Sequence, residues 1–387
     1  MEQFLLQFSF DRTEIISLSA LGVCFLTQLF FVGFFYNRPL KRRKKNAADA
    51  DEQLCQPPSV SVVITATDEC ANLAECLPVI LTQEYPDYEV IVVNNGLTDE
   101  TATLLKRLKL EYPHLHDTFL PYHAGTESER KKLAMTVGIK AARKEVLLFT
   151  EADAIPSGNR WISAMMQEMT EDKDIVLGYC AVNRTQKFIN RLARFDNLLF
   201  GLQYLSCAIL KRPFTGTYRN TAYRKELFFD NKGFSLFLNY KRCEGIFLNY
   251  IMSAQNTTVA LSKDSFVTTK CKSLSKWENF RTYQRQIRKH FRNARFYAGL
   301  FSIETFSRYL FYFLVVVNSI YSIWLAKWGY LGVTGLLFVL RLLFSLVILN
   351  KAARHFLSGK FGFSYIVIEL LQPLFCFYFR LKPERKR

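Results

Sequence analysis

The chain has 387 residues, half of them apolar and 15% aromatic, so it can bury a sizeable core in one large domain or two smaller ones. The formal net charge of +17 indicates an anionic partner, such as nucleic acid, a membrane surface or a nucleotide derivative. The nine cysteines form no Cys-x-x-Cys pair and no cluster with histidine. This argues against a zinc site or a disulfide framework and favours a reducing compartment.

Residues 15–36 form an apolar run near the N-terminus that is long enough to span a bilayer. The acidic residues Glu2, Asp11 and Glu14 precede this run, and five consecutive basic residues, 41–45, follow it. The positive-inside rule therefore predicts that the basic cluster is cytoplasmic and that the N-terminus is external. A cleaved signal peptide would carry its positive charges before the apolar run, and a buried core helix is the remaining alternative.

Strands and helices alternate after a polar linker at residues 47–58. Apolar runs predict buried strands at residues 60–64, 88–93 and 146–149, and helical spacing predicts helices at residues 72–83, 99–110 and 133–142. This alternation indicates a parallel α/β sheet. Polar residues follow the carboxyl end of each strand, which is where such sheets bind ligands.

Glu151 and Asp153 stand where the third predicted strand ends. Residues two apart in an extended backbone point to the same side, so the two carboxylates would lie together at the carboxyl end of a buried strand. Such a pair is a suitable binding site for a hard divalent cation and the phosphates that it coordinates. A solvated acidic turn is the alternative interpretation.

Three polar features interrupt the later part of the chain. Residues 215–225 form a polar loop that runs into the start of a helix. Glu244 lies just before an apolar helix predicted at residues 246–252. Residues 277–297 are strongly basic.

Two further apolar runs, residues 309–326 and 330–349, are predicted spans. Lys351, Arg354 and Lys360 follow the second run and suit the cytoplasmic side. A last apolar stretch, residues 361–379, would place the basic C-terminus outside if it crossed the membrane. We therefore expect this stretch to be interfacial or re-entrant.

The order of these motifs resembles that of the membrane-bound family 2 glycosyltransferases, which carry a GT-A nucleotide-sugar domain. The resemblance covers residues 58–297, and the flanking spans match a common architecture of the family. The matching segments are the strand at 60–69, the strand and turn at 90–99, the Lys-rich helix at 130–142, Glu151-Ala152-Asp153 in place of Asp-x-Asp, residues 216–225 in place of Gly-x-Gly-Arg-Asn-x-Ala-Tyr, Glu244 in place of the base in an acidic triplet, and Gln286-x-Arg288-x-His290.

The resemblance implies an α/β, Rossmann-like GT-A domain flanked by transmembrane helices, and transfer of a sugar with inversion from a nucleoside diphosphate donor to a lipid-linked or membrane-proximal glycan acceptor. A divalent metal, Mg or Mn, would sit on Glu151 and Asp153 and neutralise the leaving diphosphate, with Asp153 also counted as catalytic. Glu244 would take the proton from the acceptor hydroxyl. The implied donor-binding residues are Thr67, Asp68, Glu69, Asn94, Asn95, Lys132, Arg219, Asn220, Gln286, Arg288 and His290.

Three departures from the family pattern keep other functions open. Asn94 and Asn95 replace the usual aspartate, Glu151 begins the metal motif, and the acidic triplet is reduced to Glu244 alone. A catalytically impaired relative that acts as a binding partner or scaffold is therefore an alternative. So are local roles: a simple turn at Asn94, a helix-capping role for Glu244, and lipid headgroup binding by Arg288 and His290.

The expected organisation has three parts: residues 1–46 as an N-terminal span with its basic flank, 47–300 as the GT-A domain with a basic interfacial helix, and 301–387 as C-terminal transmembrane or interfacial helices. The family resemblance implies a multi-pass protein of the bacterial inner membrane with a cytoplasmic catalytic domain. Nucleic acid is not expected as a partner, because the positive charge clusters beside the apolar spans rather than along one aromatic face.

Overall fold

The computed structural model describes residues 11–42, 57–96, 99–120, 126–240, 242–271 and 273–381. Its helices are α1 (Arg12–Leu29, continued by a π-helix at Phe30–Tyr36), α2 (Cys70–Leu81), α3 (Asp99–Glu111), α4 (Glu127–Ala141), α5 (Trp161–Met166), α6 (Phe188–Ile209), α7 (Lys225–Asp230), α8 (Cys243–Ile251), α9 (Leu274–Arg288), α10 (Ala294–Trp324), α11 (Trp328–His355) and α12 (Ser364–Leu381). Its strands are β1 (Val60–Ala66), β2 (Tyr88–Asn94), β3 (Leu115–Phe119), β4 (Val146–Glu151), β5 (Ala154–Pro156), β6 (Ile175–Leu177), β7 (Cys180–Val182), β8 (Thr221–Arg224), β9 (Thr257–Val259) and β10 (Val267–Thr269). Outside the described residues lie Glu2, most of the predicted linker at 47–58, the basic residues 43–45 and the C-terminal residues 382–387.

The chain divides into two compact units. The helical unit comprises Met1–Arg38, Asn293–Ala352 and Lys360–Val367. The sheet unit comprises Pro39–Arg292, Ala353–Gly359 and Ile368–Arg387.

The sheet unit contains a seven-stranded sheet in the order β3-β2-β1-β4-β8-β6-β9. The first four strands in this order are parallel, which confirms the predicted α/β class and the three predicted strands. The sheet is nevertheless mixed, because β8 pairs antiparallel with both β4 and β6. Part of the predicted polar loop at residues 215–225 is therefore a strand. A second sheet has the order β5-β10-β7.

Hydrophobic burial explains the central strands. Val62 and Ile64 on one face of β1 and Val63 on the other are all buried, as expected for a strand covered on both faces. Helix α4 packs directly on the sheet at Gly138, where a Cβ atom would lie 2.7 Å from Val63 and 3.0 Å from Val93. This close approach requires the absence of a side chain at that helical position.

The strand register brings separate polar turns to one edge of the sheet. Ala66 at the end of β1 is paired with Asn94 at the end of β2. Thr65 is paired with Glu151 at the end of β4. Because these strands are parallel, the turns that follow them lie at the same carboxyl edge.

Among the described residues, three helices are long and apolar enough to cross a membrane: Arg12–Arg42, Ala294–Trp324 and Trp328–His355. Each predicted span is thus a helix. The second begins at Ala294, well before the predicted start at residue 309. Lys327, between α10 and α11, pairs with Asp11 at 2.8 Å and with Glu14 at 2.6 Å.

A buried polar network connects the three apolar helices. The side-chain amide of Gln28 donates to Ser307 Oγ at 2.6 Å and accepts from Arg341 at 3.1 Å. Arg341 also donates to the Tyr312 hydroxyl at 2.6 Å. In an apolar environment such interhelical hydrogen bonds specify how helices pack.

Candidate functional site

Two carboxylates at the end of β4 share one guanidinium group. Arg219 Nη2 lies 2.7 Å from Glu151 Oε2, and Arg219 Nε lies 3.5 Å from Asp153 Oδ1. Glu151 is the last residue of β4, and Asp153 follows in the short turn before β5. Arg219 stands two residues before β8, so the antiparallel insertion of β8 beside β4 brings it to these acids.

Lys131 on α4 connects the acids of the turn with Glu244. Its ammonium group lies 2.8 Å from Glu151 Oε1 and 3.9 Å from Glu244 Oε1. Glu244 is only 3% exposed and lies in the first turn of α8. The structure thereby unites the predicted metal motif and the predicted base, which are far apart in sequence.

The charges of this cluster reinforce one another. Burial alone would raise the pKa of Glu151, but Arg219 and Lys131 outweigh it and hold that pKa well below its ordinary value. Burial alone would lower the pKa of Lys131, but Glu151 and Glu244 outweigh it and raise that pKa. Both partners therefore stay charged at neutral pH.

Two turns at the carboxyl edge lie against each other. Asp68 has a left-handed backbone with φ of 53°, and a Cβ atom on Gly96 would lie 2.6 Å from Asp68 Oδ1. Asn94 Oδ1 accepts from the Gly96 amide at 3.0 Å, and Asn95 Nδ2 lies 3.5 Å from Thr67 Oγ1. The residues predicted to hold the nucleotide base thus lie together in two contacting turns, in which Asn94 and Asn95 are buried.

Glu69, the residue after Asp68, interacts electrostatically with the acids at the end of β4. It accepts from Asn72 Nδ2 at 3.1 Å. Burial, followed by the charges of Asp153 and Glu151, raises the pKa of Glu69.

Asn220 lies in the core. Its Nδ2 donates to the carbonyl oxygens of Tyr179 at 3.0 Å and Ser265 at 2.7 Å, and its Oδ1 accepts from Trp161 Nε1 at 3.0 Å. Asn220 is fully buried. These bonds use its amide hydrogens and its carbonyl oxygen in packing, so we leave Asn220 out of the proposed donor site.

Lys132 also has a local role. It is buried, and its ammonium group donates to the Leu238 carbonyl oxygen. Because this hydrogen bond engages the ammonium group within the protein, it does not support the predicted contact between Lys132 and the nucleotide. Its neighbour Lys131 is the lysine that reaches the acids.

Helix α9 presents different residues from those predicted. Lys276 Nζ lies 3.6 Å from Asp153 Oδ2. Tyr283 lies two helical turns further along the same face of α9. It packs against Gly245 so closely that a Cβ atom added there would lie 2.8 Å from the Tyr283 hydroxyl. Burial, followed by the charge of Glu244, raises the pKa of Tyr283, so this hydroxyl stays protonated and can donate.

The predicted phosphate-binding residues of α9 and its C-terminal flank lie elsewhere on the segment. Arg288 donates to Gln203 Oε1 at 2.9 Å and lies over the Phe200 ring, both on α6. His290 is exposed, with its ring 4.5 Å from that of Tyr240, and Gln286 is half-buried. Phosphate binding by these three residues stays a prediction.

Sequence reasoning missed Lys131, Lys276, Tyr283 and Arg242, whose guanidinium lies 5.5 Å from the Tyr283 ring. The sequence did place Lys131 in a Lys-rich helix before the acids. It gave no means of choosing between adjacent lysines, because successive helical residues point about 100° apart and the helix phase is set by packing.

The donor set does not fit the predicted divalent metal well. Both oxygens of Glu151 are paired with cationic side chains, which leaves Asp153 as a single carboxylate. Its Oδ1 is buried and accepts no hydrogen bond from any residue that the structure describes, but it faces Arg219 Nε. Within the part of the chain that the structure describes, no group of three histidine, cysteine, aspartate or glutamate side chains is arranged to hold a metal.

The fold is an α/β sheet with charged residues gathered beyond the carboxyl ends of its parallel strands, which is where proteins of this class bind ligands. Residues 61–237 match the family model described as glycosyl transferase family 2. This match lies within the sheet unit and covers less than half of the chain; that segment is similar to glycosyl transferase family 2, and the mixed α/β sheet agrees with the expected GT-A domain.

Similar proteins include glycosyltransferase AglE of Haloferax volcanii, 30% identical over 107 residues, which are 27% of this chain and 33% of the relative. Poly-beta-1,6-N-acetyl-D-glucosamine synthase of Staphylococcus epidermidis is 26% identical over 135 residues, which are 34% of this chain and 31% of the relative. The mannosyltransferase PcManGT of Pyrobaculum calidifontis, solved with GDP-Man and Mn²⁺, is 15% identical with a TM-score of 0.47, covering 91% of this chain and 99% of that one. The chain thus spans about a third of the length of these two sequence relatives.

Proposed function

We propose that the chain transfers a sugar from a nucleoside diphosphate donor to a lipid-linked or membrane-proximal glycan acceptor, with inversion at the anomeric carbon. The observation that carries this proposal is the convergence of Glu151, Asp153 and Glu244 around Lys131 and Arg219 at the carboxyl edge of the sheet. A departing diphosphate needs cations, and an attacking hydroxyl needs a carboxylate. This cluster supplies both within one small volume.

Glu244 is the proposed base. It is buried, and its Oε1 accepts no hydrogen bond from the described residues. Its nearest cation, Lys131, is 3.9 Å away, which is too long for a hydrogen bond. One oxygen of this buried carboxylate is therefore available for an acceptor hydroxyl.

We assign donor recognition to the two turns that follow β1 and β2. Thr67, Asp68, Asn94 and Asn95 offer hydroxyl, carboxylate and amide groups at the sheet edge where α/β proteins bind nucleotides. Glu69, the residue after Asp68, interacts electrostatically with Asp153 and Glu151. We place the base and ribose on these turns and the diphosphate beside Arg219.

The acceptor proposal is supported by the three apolar helices, which are consistent with membrane association. The basic residues that follow the first helix favour a cytoplasmic sheet unit, where nucleotide sugars are made available. Location in a bacterial inner membrane stays a prediction from the sequence.

The test uses the purified full chain with a panel of nucleotide sugars and a membrane lipid extract as acceptor. We expect release of one nucleoside diphosphate together with a glycosylated product, whose anomeric configuration by NMR is opposite to that of the donor. A product of retained configuration would refute the inverting mechanism. Absence of product with every donor would refute transferase activity.

A catalytically impaired binding protein is the second candidate. It is favoured by the full pairing of Glu151 with side-chain cations and by the single acid left at the triplet position. Tight binding of one nucleoside diphosphate, combined with no turnover of the matching sugar donor, would select this candidate.

A further inference from the structure

The acids at the end of β4 are neutralised by side chains. Lys131 and Arg219 each take one oxygen of Glu151, and their side chains are only 29% and 27% exposed. A divalent ion at Glu151 would have to displace both. Arg219 would then keep only Asp153 at 3.5 Å, and Lys131 only Glu244 at 3.9 Å.

The whole cluster is close to electrical balance. Its members are four carboxylates and four cations that influence one another: Glu69, Glu151, Asp153 and Glu244 against Lys131, Arg219, Arg242 and Lys276. A divalent ion would add two positive charges to this balanced, partly buried group. A diphosphate adds negative charge instead and needs cations that can turn toward it.

Two of the cations are suited to meet such an anion. The Lys276 side chain is 53% exposed and lies 3.6 Å from Asp153, beyond the length of a charge-assisted hydrogen bond, so it can exchange partners. Arg219 Nε is buried and donates no hydrogen bond within the described residues. Its planar guanidinium group has further N–H donors in a geometry that matches phosphate oxygens.

We propose that this chain holds the diphosphate of its donor with the side chains of Lys131, Arg219 and Lys276 and without a divalent metal ion. The inference rests on the proposed function, because it concerns the same donor site. In this arrangement Glu151 and Asp153 do not bind a metal. They hold Arg219 and Lys131 in place before the nucleotide arrives.

The test is isothermal titration calorimetry of the full chain with UDP, GDP, CDP, ADP and dTDP, in EDTA and again in Mn²⁺. We expect one nucleotide to bind with the same affinity in both buffers. The Lys131→Met and Lys276→Met variants should each lose about tenfold in affinity, while Lys131→Arg should restore most of it. Lys140→Met is the matched control, because Lys140 lies on the same helix with an exposed side chain, and its affinity should be unchanged.

Electron paramagnetic resonance of Mn²⁺ gives an independent readout. Without nucleotide, the signal of free Mn²⁺ should not decrease when the protein is added. Nucleotide binding that requires Mn²⁺, or Mn²⁺ binding that Asp153→Asn removes, would overturn the metal-free site while leaving the proposed function intact. Failure of all five nucleotides to bind in either buffer would overturn the proposed function and this inference with it.

Discussion

The Glu244→Gln substitution tests the proposed base directly. Glutamine has nearly the same shape, so a side chain that is 3% exposed can be replaced without opening a cavity. It cannot take a proton from a hydroxyl group. We expect turnover to fall by about 100-fold or more, which corresponds to about 2.7 kcal/mol of the activation barrier.

Donor binding should survive this substitution. Lys131 keeps its shorter ion pair with Glu151 at 2.8 Å, so the cations of the cluster stay in position. The measurement is the initial rate of sugar transfer at saturating donor, together with calorimetry of nucleotide binding. Glu226→Gln is the control, because Glu226 also lies in the first turn of a helix but is exposed.

The split between turnover and donor affinity separates catalysis from structure. If Glu244 is the base, the variant should lose kcat while its melting temperature and nucleotide affinity stay unchanged. Full activity of Glu244→Gln would remove Glu244 from the mechanism. A variant with a lower melting temperature and a weaker affinity for nucleotide would show that Glu244 has a structural role instead.

Three further predictions concern stability and topology. Gly138→Val should destabilise the fold by about 1–3 kcal/mol, because the new side chain meets Val63 and Val93. Gly299→Val is the control and should change the melting temperature little, because the space around its Cβ is open. Equal effects of the two substitutions would refute the packing argument. Burial lowers the pKa of His114, so the folded state binds its proton less readily than the unfolded chain, and stability should decrease as pH falls below the ordinary histidine value. His114→Phe should therefore show a smaller loss of melting temperature between about pH 7 and pH 5, and an unchanged loss would contradict this assignment. A reporter fused after Pro58 in a chain truncated there should be active only on the cytoplasmic side; an external signal would overturn the topology.

The sequence determined the elements whose signal is local. Val60, Val90 and Val146 begin short apolar runs that are typical of buried strands, and the apolar run at residues 15–36 is long enough to cross a bilayer. The position of Glu151 and Asp153 at a strand end was likewise readable, because a polar pair after a buried strand falls at the sheet edge. The parallel order of β1, β2 and β4 follows from their alternation with helices.

The tertiary structure decided which side chains meet. Arg219 reaches Glu151 because β8 enters the sheet antiparallel beside β4. No local sequence pattern predicts this strand pairing. Lys131 rather than Lys132 faces the acids because the phase of α4 is fixed where Gly138 packs on the sheet. Sequence patterns define strands, helices and spans through the burial of apolar side chains, whereas contacts between charged groups depend on register and helix phase, which only long-range packing sets.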